Sequence, residues 1–172
     1  MNGTSAAHDQ APPHGTAAPG TASPGTASPG EADAGMFTCV LPLRWSDQDL
    51  NGHVNNARIV TLMEEARILW LNRQAASAGV GSFSDPKVVA SLNVEYRRPV
   101  EYDRQLEMEL WISRIGSRSF TIAYRALQSG EVCFTGSTVL VPLDPAAGTS
   151  RTLRPAETDY LSRYLSPTEP PR

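Results

Sequence analysis

The stretch "NNARIVTLMEEARILWLNRQAASAG", Asn55 to Gly79, decides the architecture. Ile59, Leu62, Met63, Ala66 and Trp70 recur at three- and four-residue steps, the spacing of one face of an α-helix. Val60, Leu69 and Leu71 widen that stripe until the helix is apolar over much of its girth. Asn55 or Asn56 supplies an N-cap and Gly79 a stop. A helix of this kind needs other elements wrapped around it.

Those elements lie on both sides. Upstream, "MFTCVLPLRW" (Met36–Trp45) alternates Phe37, Cys39, Leu41, Leu43 and Trp45 on one face, the period of a strand. Downstream, Val88, Ala90, Leu92, Val94 and Tyr96 share a face, and so do Leu106, Met108, Leu110 and Ile112, with Glu107 and Glu109 outward. Phe120, Ile122, Tyr124 and Ala126 form a third such set. "EVCFTGSTVLVPL" (Glu131–Leu143) is apolar on both faces around Gly136, as a central strand would be. Turn signals separate the strands, and a last helical piece runs from about Ala156 to Leu165. One strand, one long helix and four antiparallel strands make an α+β domain.

The chain has 172 residues and a net charge of −3. Residues 1–35 contain "GTAAPGTASPGTASPG", a Gly-Thr-Ala-Ser-Pro repeat without aromatics or aliphatics larger than Ala, so they are expected to be a disordered tail without the features of a secretory signal. That tail carries Asp9, Glu31 and Asp33 and no Lys or Arg, which leaves the rest balanced at fifteen acids and fifteen bases. A balanced domain argues against nucleic acid as a partner. No apolar run approaches the roughly 20 residues of a membrane span. Cys39 and Cys133 lie far apart, without metal spacing, and are expected to be reduced thiols in a cytoplasmic protein.

Between the first strand and the helix lies "SDQDLNGHVNNA", Ser46 to Ala57. Asp47, Asp49 and Asn51 imitate the start of a calcium loop, but Arg58 stands where the bidentate Glu belongs, and a strand precedes. With His53 as the domain's one histidine, neither a transition-metal site nor a Ser-His or Cys-His pair has enough ligands or partners. What remains is a carboxylate, Asp49, a few residues ahead of a helix start. The free N–H groups there suit a developing oxyanion, and the Asp could attack a carbonyl or activate water beside it. A thioester fits, since its thiolate leaves readily. The same residues also serve as plain caps, Asp49 for a turn and Asn55 for the helix; spacing leaves both open.

The run "RWSDQDLNGHVNNARIVTLMEEAR", Arg44 to Arg67, resembles the signature of the hotdog-fold acyl-CoA thioesterases of the 4-hydroxybenzoyl-CoA thioesterase type. It has their Asp-x-Asp pair, Gly-His-Val-Asn-Asn at the helix start and Glu-x-Ala-Arg on the helix. "VEYRRPVEYDRQLEME", Val94 to Glu109, resembles that family's strand-turn-strand. The resemblance implies a hotdog fold over residues 36–145, a long central helix wrapped by a curved antiparallel sheet of about five strands, with 146–172 as a C-terminal extension. It implies Asp49 as the catalytic carboxylate and the backbone N–H at or next to Asn56 as the oxyanion donor, with Asp47 tying down the loop.

His53 and Asn55 would shape the pocket floor, and Arg97, Arg98 and Arg118 could meet CoA phosphates. Glu64 sits three residues before Arg67 and reads as its ion-pair partner; since some hotdog thioesterases use a helix Glu as the catalytic acid, it is the second candidate. Ile59 departs from the pattern, where relatives commonly carry Tyr. The implied reaction is hydrolysis of a fatty or aromatic acyl-CoA to free acid and CoA, with no metal and no bound cofactor, in a homodimer or homotetramer whose site lies between subunits. Hotdog proteins also act as non-catalytic acyl-CoA-binding regulators and as enoyl-CoA hydratases, although Asp49-x-x-x-His53 is one residue shorter than the hydratase spacing.

Overall fold

The central helix forms where its apolar stripe predicts. In the computed structural model, which describes residues 32–33 and 35–168, α1 spans Asn56–Ile68. Of the tail expected over residues 1–35, residues 1–31 and 34 fall outside that range. Asn55 is the N-cap, its Oδ1 accepting from the Ala57 N–H at 2.8 Å. After Ile68 the helix widens to a π-helical stretch, Leu69–Gln74, and closes as α2, Ala75–Ser77. The wide turn seats the fully buried Trp70, parallel to the Phe37 ring at 5.8 Å and edge-on to Tyr164 at 4.9 Å. Gly79 ends the run at φ +86°, a conformation that other residues adopt only with strain.

The strands are β1 (Ala32–Asp33), β2 (Met36–Leu41), β3 (Lys87–Tyr96), β4 (Leu106–Ile115), β5 (Phe120–Gln128) and β6 (Glu131–Pro142). They form one antiparallel sheet in the order β1-β2-β4-β5-β6-β3, five principal strands and a two-residue edge. The sequence alternation carries β2 on to Trp45, but the strand stops at Leu41 because Pro42 has no N–H to continue the ladder. Trp45 instead opens a short 3-10 turn with its side chain exposed.

The alternating sets on β4 and β5 face the helix as expected and are buried. On the other face, Glu109 is opposite Arg125 and pairs with it, and the Arg125 guanidinium lies 6.0 Å over the Trp111 ring. All three side chains are buried, so Glu109 points outward but not into water.

On β3 the expected face changes partway. A bulge at Ala90 inserts one residue, so Val89, not Val88, lies opposite the buried Leu140 on the helix side. Leu92, Val94 and Tyr96 keep the predicted side, opposite Thr138, Gly136 and Phe134. A Cβ on Gly136 would stand 2.7 Å from the Asn93 carbonyl oxygen and 3.0 Å from Met63 Cε, so glycine is what lets helix and sheet close there.

α3 (Pro155–Ser162) ends three residues earlier than expected, and Leu165 instead bridges to Ile112 beside β4. Tyr160, Leu161 and Tyr164 join the same core as α1 and the sheet. The fully buried Glu157 pins α3: its carboxylate receives both Arg151 Nη atoms, at 2.7 and 2.8 Å, and the Arg154 N–H at 2.8 Å. Asp85 joins the cluster through Arg154 at 2.8 Å and Arg151 at 3.4 Å. Tyr160 packs on Phe83 at 5.8 Å, closing that end of the core.

Candidate active site

The loop from Trp45 to Asn55 is built around its two aspartates. Asp47 is buried; its Oδ2 accepts from the Arg44 N–H at 2.8 Å, its carbonyl from the Asn55 N–H at 2.8 Å, and Arg58 Nε lies 3.7 Å from Oδ1. These bonds fix where the helix begins. Asp49 turns the chain back: its N–H donates to the His53 carbonyl at 2.8 Å, and Gly52, at φ +78°, donates to the Asp49 carbonyl at 3.1 Å. The Asp49 carboxylate faces solvent. Its Oδ1 accepts from the Asn51 N–H at 2.8 Å and the His53 N–H at 3.4 Å, while Oδ2 has a single long contact, 3.4 Å, with Asn51 Nδ2. The Asn51 N–H, chief among these donors, holds the carboxyl below the usual Asp range.

Asp49, His53, Asn56, Arg97 and Arg98 line one cleft of about 400 Å³, with Asn51, Val54, Ile59, Tyr96, Pro99 and Val100. Asn56 is the first residue of α1, where backbone N–H groups lack intrahelical partners, and its N–H bonds to none of the described residues. The cleft lining thus brings together an aspartate, the first residue of a helix and two arginines. Arg97 and Arg98 both donate their backbone N–H to the Cys133 carbonyl, and their side chains form exposed pairs with Glu95 and Glu131.

Asn55 lies outside this cleft, its side chain committed to the helix cap. Glu64, exposed on α1, accepts from Arg67 Nη2 at 2.6 Å, and the Arg67 side chain itself is largely buried. Arg118, in the β4–β5 turn, lies at the opposite end of the sheet and bonds Ser150. Among the described residues no His, Cys, Asp and Glu cluster could hold a metal ion.

Sequence reasoning missed two contributors. Tyr96 reaches back across the helix start, its hydroxyl 3.4 Å from the Asn56 carbonyl, and brings an aromatic ring to the cleft beside Ile59. Gln128, buried on β5, exchanges two 2.8 Å bonds with the Glu101 backbone, and so steadies the segment whose Val100 carbonyl accepts from the Val54 N–H. Tyr96 was visible as a strand-end aromatic before Arg97; nothing local marked Gln128.

Residues 43–162 match the thioesterase-like superfamily. Over 111 residues the chain is 32% identical to the uncharacterized protein YsmA of Bacillus subtilis (strain 168), spanning 62% of this chain and 71% of that one. Among solved structures it is similar to a predicted thioesterase from Bacillus stearothermophilus, 25% identical at a TM-score of 0.70 over 78% of this chain and 99% of that one. It is also similar to a thioesterase from Thermus thermophilus complexed with coenzyme A and Zn, 27% identical at a TM-score of 0.63 over 74% and 93%. Among the described residues no helix is long and apolar enough to cross a membrane.

Proposed function

Because the chain belongs to the thioesterase-like superfamily, we propose that it hydrolyses an acyl-CoA thioester, fatty or aromatic, to the free acid and CoA. The observation that carries this reading is that Asp49, Asn56, Arg97 and Arg98 line one cleft, with the Asn56 N–H left without a partner among the described residues at the helix start. In this scheme Asp49 Oδ2, the less encumbered oxygen, attacks the thioester carbonyl carbon. The charge that develops on the carbonyl oxygen is taken by the Asn56 N–H. Collapse expels the CoA thiolate and leaves an acyl–Asp49 anhydride, which water cleaves to the acid. His53 borders the reacting centre, and Arg97 and Arg98 serve CoA phosphates.

The protein is further proposed to be a homodimer. β3 is an open edge whose Val88, Val89 and Tyr96 are exposed, and Val60 and Ile68 of α1 lie exposed as well. An unpaired strand with that much apolar surface suits pairing with a second copy. The buried free thiols Cys39 and Cys133 suit a reducing compartment such as the cytoplasm.

The test is CoA release, read by thiol detection, from short, medium, long and aromatic acyl-CoAs. Steady turnover of at least one supports the thioesterase reading. Tight binding of acyl-CoA without release from any overturns it in favour of an acyl-CoA-binding regulator.

A further inference from the structure

Asp49 and Asn51 border two hollows, not one. The cleft described above holds His53, Arg97 and Arg98. On the other side of the same turn lies a larger open hollow of about 990 Å³, lined by Trp45, Gln48, Leu50 and Asn55 together with Asp49 and Asn51. It has no Lys or Arg in its lining. Trp45 is 76% exposed and Leu50 entirely so. Two large apolar side chains held in water beside a catalytic carboxylate candidate gain stability when something apolar covers them.

The turn itself explains why they stay there. Trp45 is fixed at the start of the 3-10 turn that Asp47 caps, and Leu50 stands at the tip between the Asp49 and Asn51 that bond each other. Those bonds hold the backbone that carries both side chains at the surface. The chemistry is therefore divided across Asp49: cations and a histidine on one side, an indole and an isobutyl group without cations on the other.

We propose that the Trp45–Leu50 hollow is the acyl subsite, so that the thioester straddles the Asp49 turn with CoA on the Arg97–Arg98 side and the acyl group against Trp45 and Leu50. This rests on the thioesterase reading and adds a substrate class to it: apolar acyl groups of medium length or aromatic character, in preference to acetyl. An acetyl group has little apolar surface with which to cover the indole, whereas an octanoyl chain or a benzoyl ring has much more.

The test compares kcat/KM for octanoyl-CoA, benzoyl-CoA and acetyl-CoA in the wild type, Leu50→Ser, Trp45→Ala and Arg98→Ala. Both apolar positions are exposed, so the two variants keep the fold. Leu50→Ser and Trp45→Ala should each lower the octanoyl-to-acetyl ratio of kcat/KM by about tenfold, the scale of a lost apolar pocket contact. Arg98→Ala should weaken all three substrates alike. A second readout does not depend on turnover. Binding of the non-hydrolysable thioether octyl-CoA should perturb tryptophan fluorescence through Trp45, since Trp70 and Trp111 are buried. Trp45→Phe should abolish that change.

Ratios unchanged in both variants, or a fluorescence response surviving Trp45→Phe, would overturn the subsite. So would equal losses on all substrates together with dissociation of the oligomer, which would make Trp45 and Leu50 interface residues. Absence of turnover in the wild type, with the octyl-CoA response intact, would sink the thioesterase reading and leave the subsite standing.

Discussion

Replacing Glu157 by Ala should unlatch the C-terminal helix. The side chain is fully buried and takes hydrogen bonds from both Nη atoms of Arg151 and from the Arg154 backbone. Removing one partner of a buried pair costs about 3–5 kcal/mol, because the other charge is left desolvated. The lower end applies here, since Arg151 keeps Asp85 Oδ2 at 3.4 Å and the Thr152 carbonyl at 3.1 Å. Losing the bond to the Arg154 N–H at the start of α3 adds about 1 kcal/mol. The expected loss is therefore about 4 kcal/mol, or roughly 10 °C in Tm for a domain of this size.

Glu157→Gln retains the volume and the cap and should lose about half as much. Burial pushes the Glu157 pKa up, but the bonds from Arg151 and the Arg154 N–H outweigh it and hold the group below its ordinary value. A depressed carboxylate stabilises above its unfolded pKa, near 4.3, and loses that contribution as pH falls toward the folded one. The gap between wild type and Glu157→Gln should thus be full at pH 7 and shrink below about pH 4. Urea unfolding followed by circular dichroism measures it. A loss under about 1 kcal/mol for Glu157→Ala at pH 7 would refute the reasoning and leave the docking of α3 to Tyr160, Leu161 and Tyr164.

Gly136→Ala should destabilise by about 1–3 kcal/mol in the same assay, because the added methyl meets the Asn93 carbonyl and Met63; Met63→Ala should relieve part of this in a double variant. For kcat/KM against pH, the acid limb should fall below about pH 4, the ordinary carboxylate range, because the lowered pKa keeps Asp49 ionised. A limb at pH 5–6 would mean that a different group is titrating. On β3, Val89→Lys should shift the protein toward monomer in light scattering after size exclusion, and an unchanged mass would move the interface elsewhere.

Much of this fold is legible because its signals are local and periodic. The α1 stripe, the inward sets on β4 and β5 and the Gly79 stop need only the repeat of helix or strand. What escaped depends on register or on distant partners. The Ala90 bulge shifts Val88 and Val89 with no mark in a run that is apolar on either reading. Pro42 was a visible strand breaker that the alternation of Leu43 and Trp45 masked. At the site, Asp49, His53 and Asn56 share a cleft because eight residues of chain and a helix start hold them together, so sequence proximity sufficed. Arg118 lies elsewhere because strand β5 runs its full length between that turn and the cleft. Tyr96 and Gln128 contribute through cross-sheet pairing, which spacing along the chain does not reveal. The Arg151–Glu157 latch had half a signal: Pro155 and Glu157 fit the first and third positions of a helix, but nothing named Arg151.

The central claim is that the Asp49 carboxylate carries out thioester cleavage. Its most direct test is kcat for the best acyl-CoA with wild type and Asp49→Asn side by side, both checked for fold and for CoA binding. Asn keeps one oxygen that can accept from the Asn51 N–H but cannot form the anhydride. The account predicts a fall in kcat of about a thousandfold or more, with CoA binding retained. A folded Asp49→Asn variant with kcat within tenfold of wild type would contradict it.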